Sequence, residues 1–211
     1  MKKFRLAVSA AVVMATIALT GCGGLSESGK TAYEKINETL VSMKSFEADA
    51  TVTYISNKTN HTYSTKQQCK TSGEYRIEVT GPEKAAGNIT VFDGKQIYQY
   101  NTRVAGKMNV TSNEASERLE LFLTSFVKNY VKSNEVSVAA AKLDESMCTV
   151  LEAVIPGEHP FLKTEKLWVD NNTRIPAKLV IYDANGSERI VVEYEKFNYN
   201  VDLPENLFKI E

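Results

Sequence analysis

The stretch that decides the fold is Leu167-Trp168-Val169-Asp170-Asn171-Asn172-Thr173-Arg174-Ile175-Pro176-Ala177-Lys178. The two ends of this stretch belong to longer segments, residues 162–169 and 175–182. Both segments are rich in β-branched and large apolar side chains, which favour strands. Residues 170–173 are Asp, Asn, Asn and Thr, which favour a turn. Two strand-like segments joined by so short a polar turn predict an antiparallel β-hairpin.

The same alternation of strand-like segments and short turns continues on both sides of this hairpin. In the N-terminal half, apolar and polar residues alternate with a period of two from Phe46. One strand-like segment ends at Gly81-Pro82. Asp93-Gly94 is a strong signal for a hairpin turn. The further predicted strands cover residues 46–54, 61–69, 75–80, 89–92, 96–100, 136–143, 148–155 and 189–197. Consecutive strands with short connections predict one antiparallel, strongly curved sheet.

Two helices interrupt the strands. The first begins at Thr31, which can form a capping box with Glu34, and its apolar positions follow at helical spacing: Tyr33, Ile36, Leu40 and Met43. The second is predicted to begin with another capping box, Thr111 with Glu114, and carries a longer apolar series: Leu119, Phe122, Leu123, Phe126, Val127, Tyr130 and Val131. So many large side chains on one helix face need a broad apolar surface, which a concave sheet provides.

The order of helix, strands, helix and strands predicts an α+β fold. We expect a curved antiparallel half-barrel, that is, an unclosed β-barrel, with the helices packed on its concave face. The apolar residues predicted to face its hollow are Phe122, Leu123, Phe126 and Tyr130. Two interpretations of these four side chains stay open: core packing, or contact with an acyl chain or a partner.

The N-terminus has the features of an exported lipoprotein. Three basic residues precede an apolar run over residues 6–19, about 14 residues, which is shorter than the roughly 20 that span a membrane. The run ends in Leu19-Thr20-Gly21-Cys22, which resembles the lipobox of bacterial lipoproteins. We therefore expect a signal peptide over residues 1–21, a lipidated Cys22 with a flexible tether over 22–30, and a folded domain over 31–211. Lipid on Cys22 would hold the chain at the outer face of the cell membrane.

The length and net charge of the mature chain limit the number of its domains and the kinds of partner that it can bind. Removal of residues 1–21 leaves 190 residues (211 − 21), which fits one domain. The leader holds three basic residues and no acidic one, so the mature chain has 22 Lys+Arg (25 − 3) against 26 Asp+Glu, a net charge of −4. Such a chain lacks the basic footprint of a nucleic-acid-binding protein, so we expect no nucleic acid partner.

Two cysteines remain besides the predicted lipid site, Cys69 and Cys148. Outside the cytoplasm they can pair, and only one intramolecular disulfide between them is possible. The alternative is two separate thiols, each buried or facing a partner. The sequence leaves both open because it does not give the Cα separation that a disulfide requires.

The sequence offers little for catalysis. Its two histidines, His61 and His159, lie next to a polar turn and in a Gly/Pro loop, and neither has a spaced Cys or His partner. The motifs of zinc peptidases, dithiol oxidoreductases, serine hydrolases and nucleotide-binding proteins do not occur in the sequence. Asp170-Asn171-Asn172 lacks the spacing of a calcium loop, so no metal or cofactor is expected. We expect a protein that is not an enzyme and acts by binding.

Three stretches in order carry a family signature. They are Val91-Phe92-Asp93-Gly94-Lys95-Gln96-Ile97-Tyr98-Gln99-Tyr100, the hairpin that begins at Leu167 and runs on to Gly186, and the closing Val201-Asp202-Leu203-Pro204 with Leu207-Phe208. Together they resemble the LolA/LolB-like superfamily of lipoprotein carriers and related lipoproteins. The resemblance covers nearly the whole mature chain and implies a half-barrel whose hollow holds acyl chains in the carriers.

Within this superfamily the chain looks most like the germination lipoproteins of spore-forming clostridia, the GerS type. The helix at 122–132, the strand at 74–82 and the Lys- and Asn-leaning composition carry this likeness. The resemblance implies an adapter that binds a cell-wall amidase, an N-acetylmuramoyl-L-alanine amidase of the spore cortex, at a forespore-associated membrane. The alternative that the wider superfamily implies is a carrier or receptor with an acyl-chain ligand.

Overall fold

The computed structural model of this chain describes residues 30–104, 107–110 and 122–209. They form eleven strands, two α-helices and a 3₁₀ turn. The helices are α1 (Ala32–Ser42) and α2 (Leu123–Lys132), and the turn covers Glu205–Phe208. The strands are β1 (Ser45–Ile55), β2 (Asn60–Lys70), β3 (Tyr75–Gly81), β4 (Asn88–Phe92), β5 (Ile97–Asn101), β6 (Lys107–Val110), β7 (Val136–Leu143), β8 (Ser146–Val154), β9 (Thr164–Asp170), β10 (Pro176–Tyr182) and β11 (Glu188–Tyr199).

All eleven strands belong to one antiparallel sheet in the order β6-β5-β4-β3-β2-β1-β11-β10-β9-β8-β7. The first six strands thus form one half of the sheet and the last five the other, and β1 and β11 join the halves. The order ends at β6 on one side and at β7 on the other, so the sheet does not close on itself. The predicted unclosed half-barrel is confirmed.

Helix α1 begins as the sequence predicts. The Thr31 hydroxyl accepts a hydrogen bond from the Glu34 amide at 3.2 Å, and the Glu34 carboxylate accepts one from the Thr31 amide at 2.7 Å. This capping box satisfies two backbone donors at the helix start. Ile36 and Leu40 are then buried on the inner face of the helix.

Helix α2 is described from Leu123, with Phe122 as its N-cap residue. The predicted capping box of Thr111 with Glu114, and Leu119, lie outside the described residues. So do the predicted signal peptide, Cys22 and most of the tether, which remain predictions.

Both helices pack on one face of the sheet, as predicted, and enclose the main hydrophobic core. Two inward residues of β1 are small, Ala48 and Ala50, and leave room for the rings that cover them. The larger members of this core come from both helices and both halves of the sheet: Ile36, Leu40, Phe46, Tyr75, Phe122, Leu123, Phe126, Leu151, Leu167, Leu179, Val192 and Phe197. A second cluster joins Ile89 and Val91 to Leu203 and Phe208 at the 3₁₀ turn.

The disulfide between Cys69 and Cys148, one of the two possibilities that the sequence leaves open, is not formed in this fold. Both residues are buried free thiols, on β2 and β8 respectively. Four strands lie between β2 and β8 in the sheet, and neighbouring strands are about 4.8 Å apart, whereas a disulfide needs Cα atoms within about 7 Å. The alternation of each strand also turns the two side chains to opposite faces of the sheet. The alternative of two separate thiols is the one that the structure supports.

Candidate interaction surface

Strand β7 ends the C-terminal half of the sheet and is exposed along its length. Among the described strands its one neighbour is β8, which pairs with all eight of its residues from Val136 to Leu143. Six of the eight are exposed, and the other two are half-buried. The strand is apolar even so, because Val136 and Val138 each keep 46% of their surface exposed and Ala139, Ala140 and Ala141 follow.

Such an edge is unusual because proteins normally protect the outer strand of a sheet. An edge strand presents a row of unpaired N–H and C=O groups, and charges, prolines or a covering element commonly block it. Strand β7 carries one charged residue, Lys142, and no proline. The opposite edge is β6, a strand of only four residues. The long apolar edge at β7 is therefore the candidate site for a partner.

Helix α2 lies beside this edge. Its Asn129 side chain donates a hydrogen bond to Glu165 on β9 at 2.8 Å, which fixes the flank of the helix that faces β9. Val131 is two residues further on, about 200° around the helix, so it points to the opposite flank, toward β7. It is 61% exposed, and Lys128 and Lys132 beside it are also exposed.

The outward residues of α2 and the inward row of β7 share one side of the sheet. Val136 and Val138 pair with Ala153 and Leu151, whose side chains belong to the core beneath the helices. Paired residues of antiparallel strands point to the same face, so both valines extend the core face to its open edge. We call the surface formed by Val131, Val136, Val138, Lys128 and Lys132 the edge surface.

The four residues predicted to face the hollow are all buried in the main core. The Phe122 ring lies 4.6 Å from that of Tyr75, and the Phe126 ring 5.8 Å from that of Tyr130. The Tyr130 hydroxyl lies 3.3 Å from that of Tyr33 on α1, and burial raises the pKa of Tyr130. In this structure Phe122, Leu123, Phe126 and Tyr130 pack against other core side chains, and contact with an acyl chain or a partner remains a prediction.

Polar groups that the sequence analysis did not single out also lie under the helices. Glu165 has no exposed surface, and its carboxylate accepts the hydrogen bond from Asn129. Gln67 donates to the Thr65 hydroxyl at 3.3 Å, while its Oε1 atom and the Tyr194 hydroxyl are buried without a hydrogen-bond partner in the structure. Burial raises the pKa of Tyr194, so its phenol stays neutral. A signal existed for Glu165, which alternates in phase with the inward Leu167 and Val169 of β9.

A shallow polar groove of about 200 Å³ lies where β1, β2, β3 and β11 depart from regular pairing. Its acidic groups have partners: Lys196 bonds Asp49 at 2.9 Å, and Thr51 donates to Glu195 at 2.8 Å. The groove is lined by Asp49, Ala50, Ser64, Thr65, Thr80 and Glu195.

The histidines do not come together. His61 is an exposed residue of β2, and the ring of His159, in the loop before β9, lies 5.9 Å from that of Phe161. Within residues 30–104, 107–110 and 122–209, no group of three or more His, Cys, Asp or Glu side chains is placed to hold a metal ion. No helix of that same part of the chain is long and apolar enough to cross a membrane.

Several solved structures are similar to this chain. An uncharacterised conserved protein from Thermus thermophilus is 13% identical, with a TM-score of 0.53, over 86% of this chain and 94% of that chain, and it shows the fold. A structure of the CwlD amidase from Clostridioides difficile in complex with the GerS lipoprotein gives 25% identity and a TM-score of 0.49, over 86% of this chain and 100% of that chain. A LolA superfamily protein from Nitrosomonas europaea gives 16% identity and a TM-score of 0.45, over 85% of this chain and 96% of that chain.

One family model matches the sequence, and it is described as "Sporulation protein YdcC-like". The match covers residues 1–208, which is nearly the whole chain of 211 residues. No curated protein sequence matches this chain.

Proposed function

Because the chain belongs to the YdcC-like family of sporulation proteins, we propose that it is a lipid-anchored adapter that binds a cell-wall amidase. In this proposal the half-barrel has no catalytic role of its own. It holds an N-acetylmuramoyl-L-alanine amidase at the outer face of a forespore-associated membrane, where the spore cortex is matured for germination.

The observation that carries a binding role is the edge surface. An open sheet edge beside exposed apolar side chains is the kind of surface through which proteins add a partner to their own sheet. Val131 on α2 is 61% exposed, and Val136 and Val138 on β7, the last strand of the sheet order, are each 46% exposed.

The class of partner comes from the sequence rather than from the surface. The motifs at 91–100, 167–186 and 201–208 resemble the LolA/LolB-like superfamily, and the overall sequence looks most like its GerS-type germination lipoproteins. Membership in a sporulation family supports that likeness. These two lines of support favour a sporulation-specific wall amidase over other secreted partners.

The anchor is part of the same proposal. The basic, apolar and lipobox segments that end at Cys22 support cleavage before this residue and lipid on its sulfur. Metabolic labelling with a palmitate analogue in the native host tests it. Label on the wild-type chain and none on Cys22→Ala supports the anchor, whereas equal label on both would refute it.

Binding to the amidase is tested with the mature chain, residues 22–211, purified in detergent. It is mixed with the wall amidase of its sporulating host, and the complex is measured by size-exclusion chromatography with light scattering. A stable complex of near-equal stoichiometry supports the adapter. Absence of a complex, together with phospholipid or lipopeptide found by mass spectrometry in the purified chain, would instead support the acyl-chain carrier.

A further inference from the structure

We propose that the edge surface receives an extended segment of a partner as a twelfth strand, and that this segment is apolar on its inward side and acidic at its flank. The inference rests on the proposed binding function and specifies the chemistry of the partner at that site. It follows from three features of the described part of the chain: the open backbone edge of β7, the apolar row of Val136 and Val138, and the exposed cations Lys128 and Lys132.

The backbone of β7 determines the shape of the partner. Its residues pair with β8 on one side only, so about half of its N–H and C=O groups point away from the sheet. A segment that satisfies such a row of alternating donors and acceptors must itself be extended. A helix or a compact surface would leave these groups without partners.

The inward row of β7 determines the apolar side of the partner. Val136 and Val138 extend the core face of the sheet. Val131, on α2, is exposed on the same side of the sheet. In an added strand every second side chain would enter the space between the valines of β7 and the flank of α2. That space favours side chains such as Val, Ile or Leu because burial there removes apolar surface of both partners from water.

The charges beside this row determine the flank of the partner. Lys128 and Lys132 are exposed, and neither forms an ion pair with another described residue. Other lysines of this half of the sheet do form one: Lys166 lies 3.3 Å from Glu152, and Lys142 lies 3.6 Å from Glu145. Two exposed cations without an ion-pair partner among the described residues favour an acidic segment beside the apolar strip and speed its encounter.

The same charges argue against a second copy of this chain as the occupant. A two-fold symmetric pairing of β7 with β7 would bring Lys128 and Lys132 of each copy toward the same interface. The apolar row would be satisfied, but four lysines would gather beside it and repel one another. A heterologous segment with acidic residues removes this conflict.

The test uses two synthetic peptides of seven residues, acetylated, amidated and labelled with fluorescein. Both carry the alternating core Val-Thr-Val-Thr-Val, and one has Glu at both ends while the other has Lys. Binding to the mature chain in detergent is followed by fluorescence anisotropy, and the site is located by hydrogen–deuterium exchange. We expect the Glu peptide to bind about tenfold more tightly than the Lys peptide at low salt, and to protect the amides of residues 136–143.

Two matched variants distinguish this site from others. Val138→Lys places a charge in the inward row of β7. It should weaken binding of the Glu peptide about tenfold, because burial of an unpaired charge is costly. Ser137→Lys places the same charge on the other face of the same strand, beside Glu152, and should leave binding unchanged. The double change Lys128→Glu and Lys132→Glu should reverse the preference between the two peptides.

Four results would overturn the inference. They are equal binding of both peptides, protection away from residues 136–143, the same loss in Val138→Lys and Ser137→Lys, and a peptide-free chain that is already dimeric with β7 protected. The proposed function fails separately. If the amidase complex survives Val138→Lys, the proposed strand at β7 is refuted and the adapter function stands. If the Glu peptide binds at β7 but no amidase complex forms, the proposed strand stands and the amidase is refuted as the partner.

Discussion

The Asn129 side chain donates a hydrogen bond to the Glu165 carboxylate at 2.8 Å, and this bond ties α2 to β9. Glu165 has no exposed surface, so water cannot hydrate its carboxylate, and the Asn129 side chain donates a hydrogen bond to it instead. Together with the buried Leu123 and Phe126, this contact fixes the rotation of the helix, which leaves Val131 exposed on the flank away from β9.

Asn129→Leu should therefore destabilise the domain. The change removes a donor to a buried carboxylate, for which we expect a loss of about 2 kcal/mol in the free energy of unfolding. Urea denaturation followed by circular dichroism measures it. Lys132→Ala, an exposed change on the same helix, should stay within about 0.5 kcal/mol of wild type, and an equal loss in both variants would contradict the assignment.

Phe126→Ala tests the packing role of the residues once predicted to face a hollow. Phe126 is fully buried in the main core, so its truncation should leave a cavity and cost about 3–5 kcal/mol. Val131→Ala on the same helix removes an exposed side chain and should cost little. If Phe126→Ala left the stability intact, this ring would not be packed in the core, and a ligand-facing role would return.

The thiols of Cys69 and Cys148 should be unreactive in the folded chain. Both are buried, and burial raises the pKa of each thiol, so little thiolate is available. Ellman's reagent should label neither residue in the native mature chain and both in guanidinium, with no need for a reductant. Labelling that appears only after reduction would restore the disulfide.

Asp170 should make the stability of the domain sensitive to acid. The Thr173 amide donates a hydrogen bond to its carboxylate at 2.7 Å and, with further donors, lowers the pKa of Asp170 below its ordinary value. A lowered folded-state pKa means that the stabilisation is complete above the unfolded-state value of about 3.9 and is lost as the pH falls through the folded-state value. Denaturant titrations from pH 7 to pH 2 should show a smaller decline for Asp170→Asn than for wild type. An equal decline would place the acid sensitivity elsewhere.

Most strands of this fold could be predicted because their signals are local. The alternation of Glu165, Leu167 and Val169 and the turn at 170–173 specify β9 and its hairpin without any other part of the chain. Strand ends were less accurate: β8 was predicted over 148–155 and covers Ser146–Val154, because pairing with β7 sets its limits. Strand β6 was missed, since Lys107-Met108-Asn109-Val110 has too short a pattern and is specified by pairing with β5.

The edge surface could not be predicted in the same way. The sequence predicts a strand at 136–143, but whether that strand is central or terminal depends on which strands pair across the chain. The junction of β1 with β11 decides this, because it places β7 at the end of the order rather than beside β6. Exposure of Val136 and Val138 is therefore a consequence of a contact made far from them in the sequence.

That junction has a consequence for the order in which the domain assembles. Among the described strands, β1 and β11 form the one pair that is not consecutive in the chain, with Phe46 opposite Tyr199. Each half of the sheet can therefore form quickly, from hairpins between strands that are consecutive in the chain. The pairing of β1 with β11 forms later, because it requires the last strand. For a chain that crosses a membrane unfolded, the N-terminal half can pair as it emerges, but β1 keeps an open side until residue 199 has followed. Closure of the sheet at β1 and β11 is therefore the last step in its assembly.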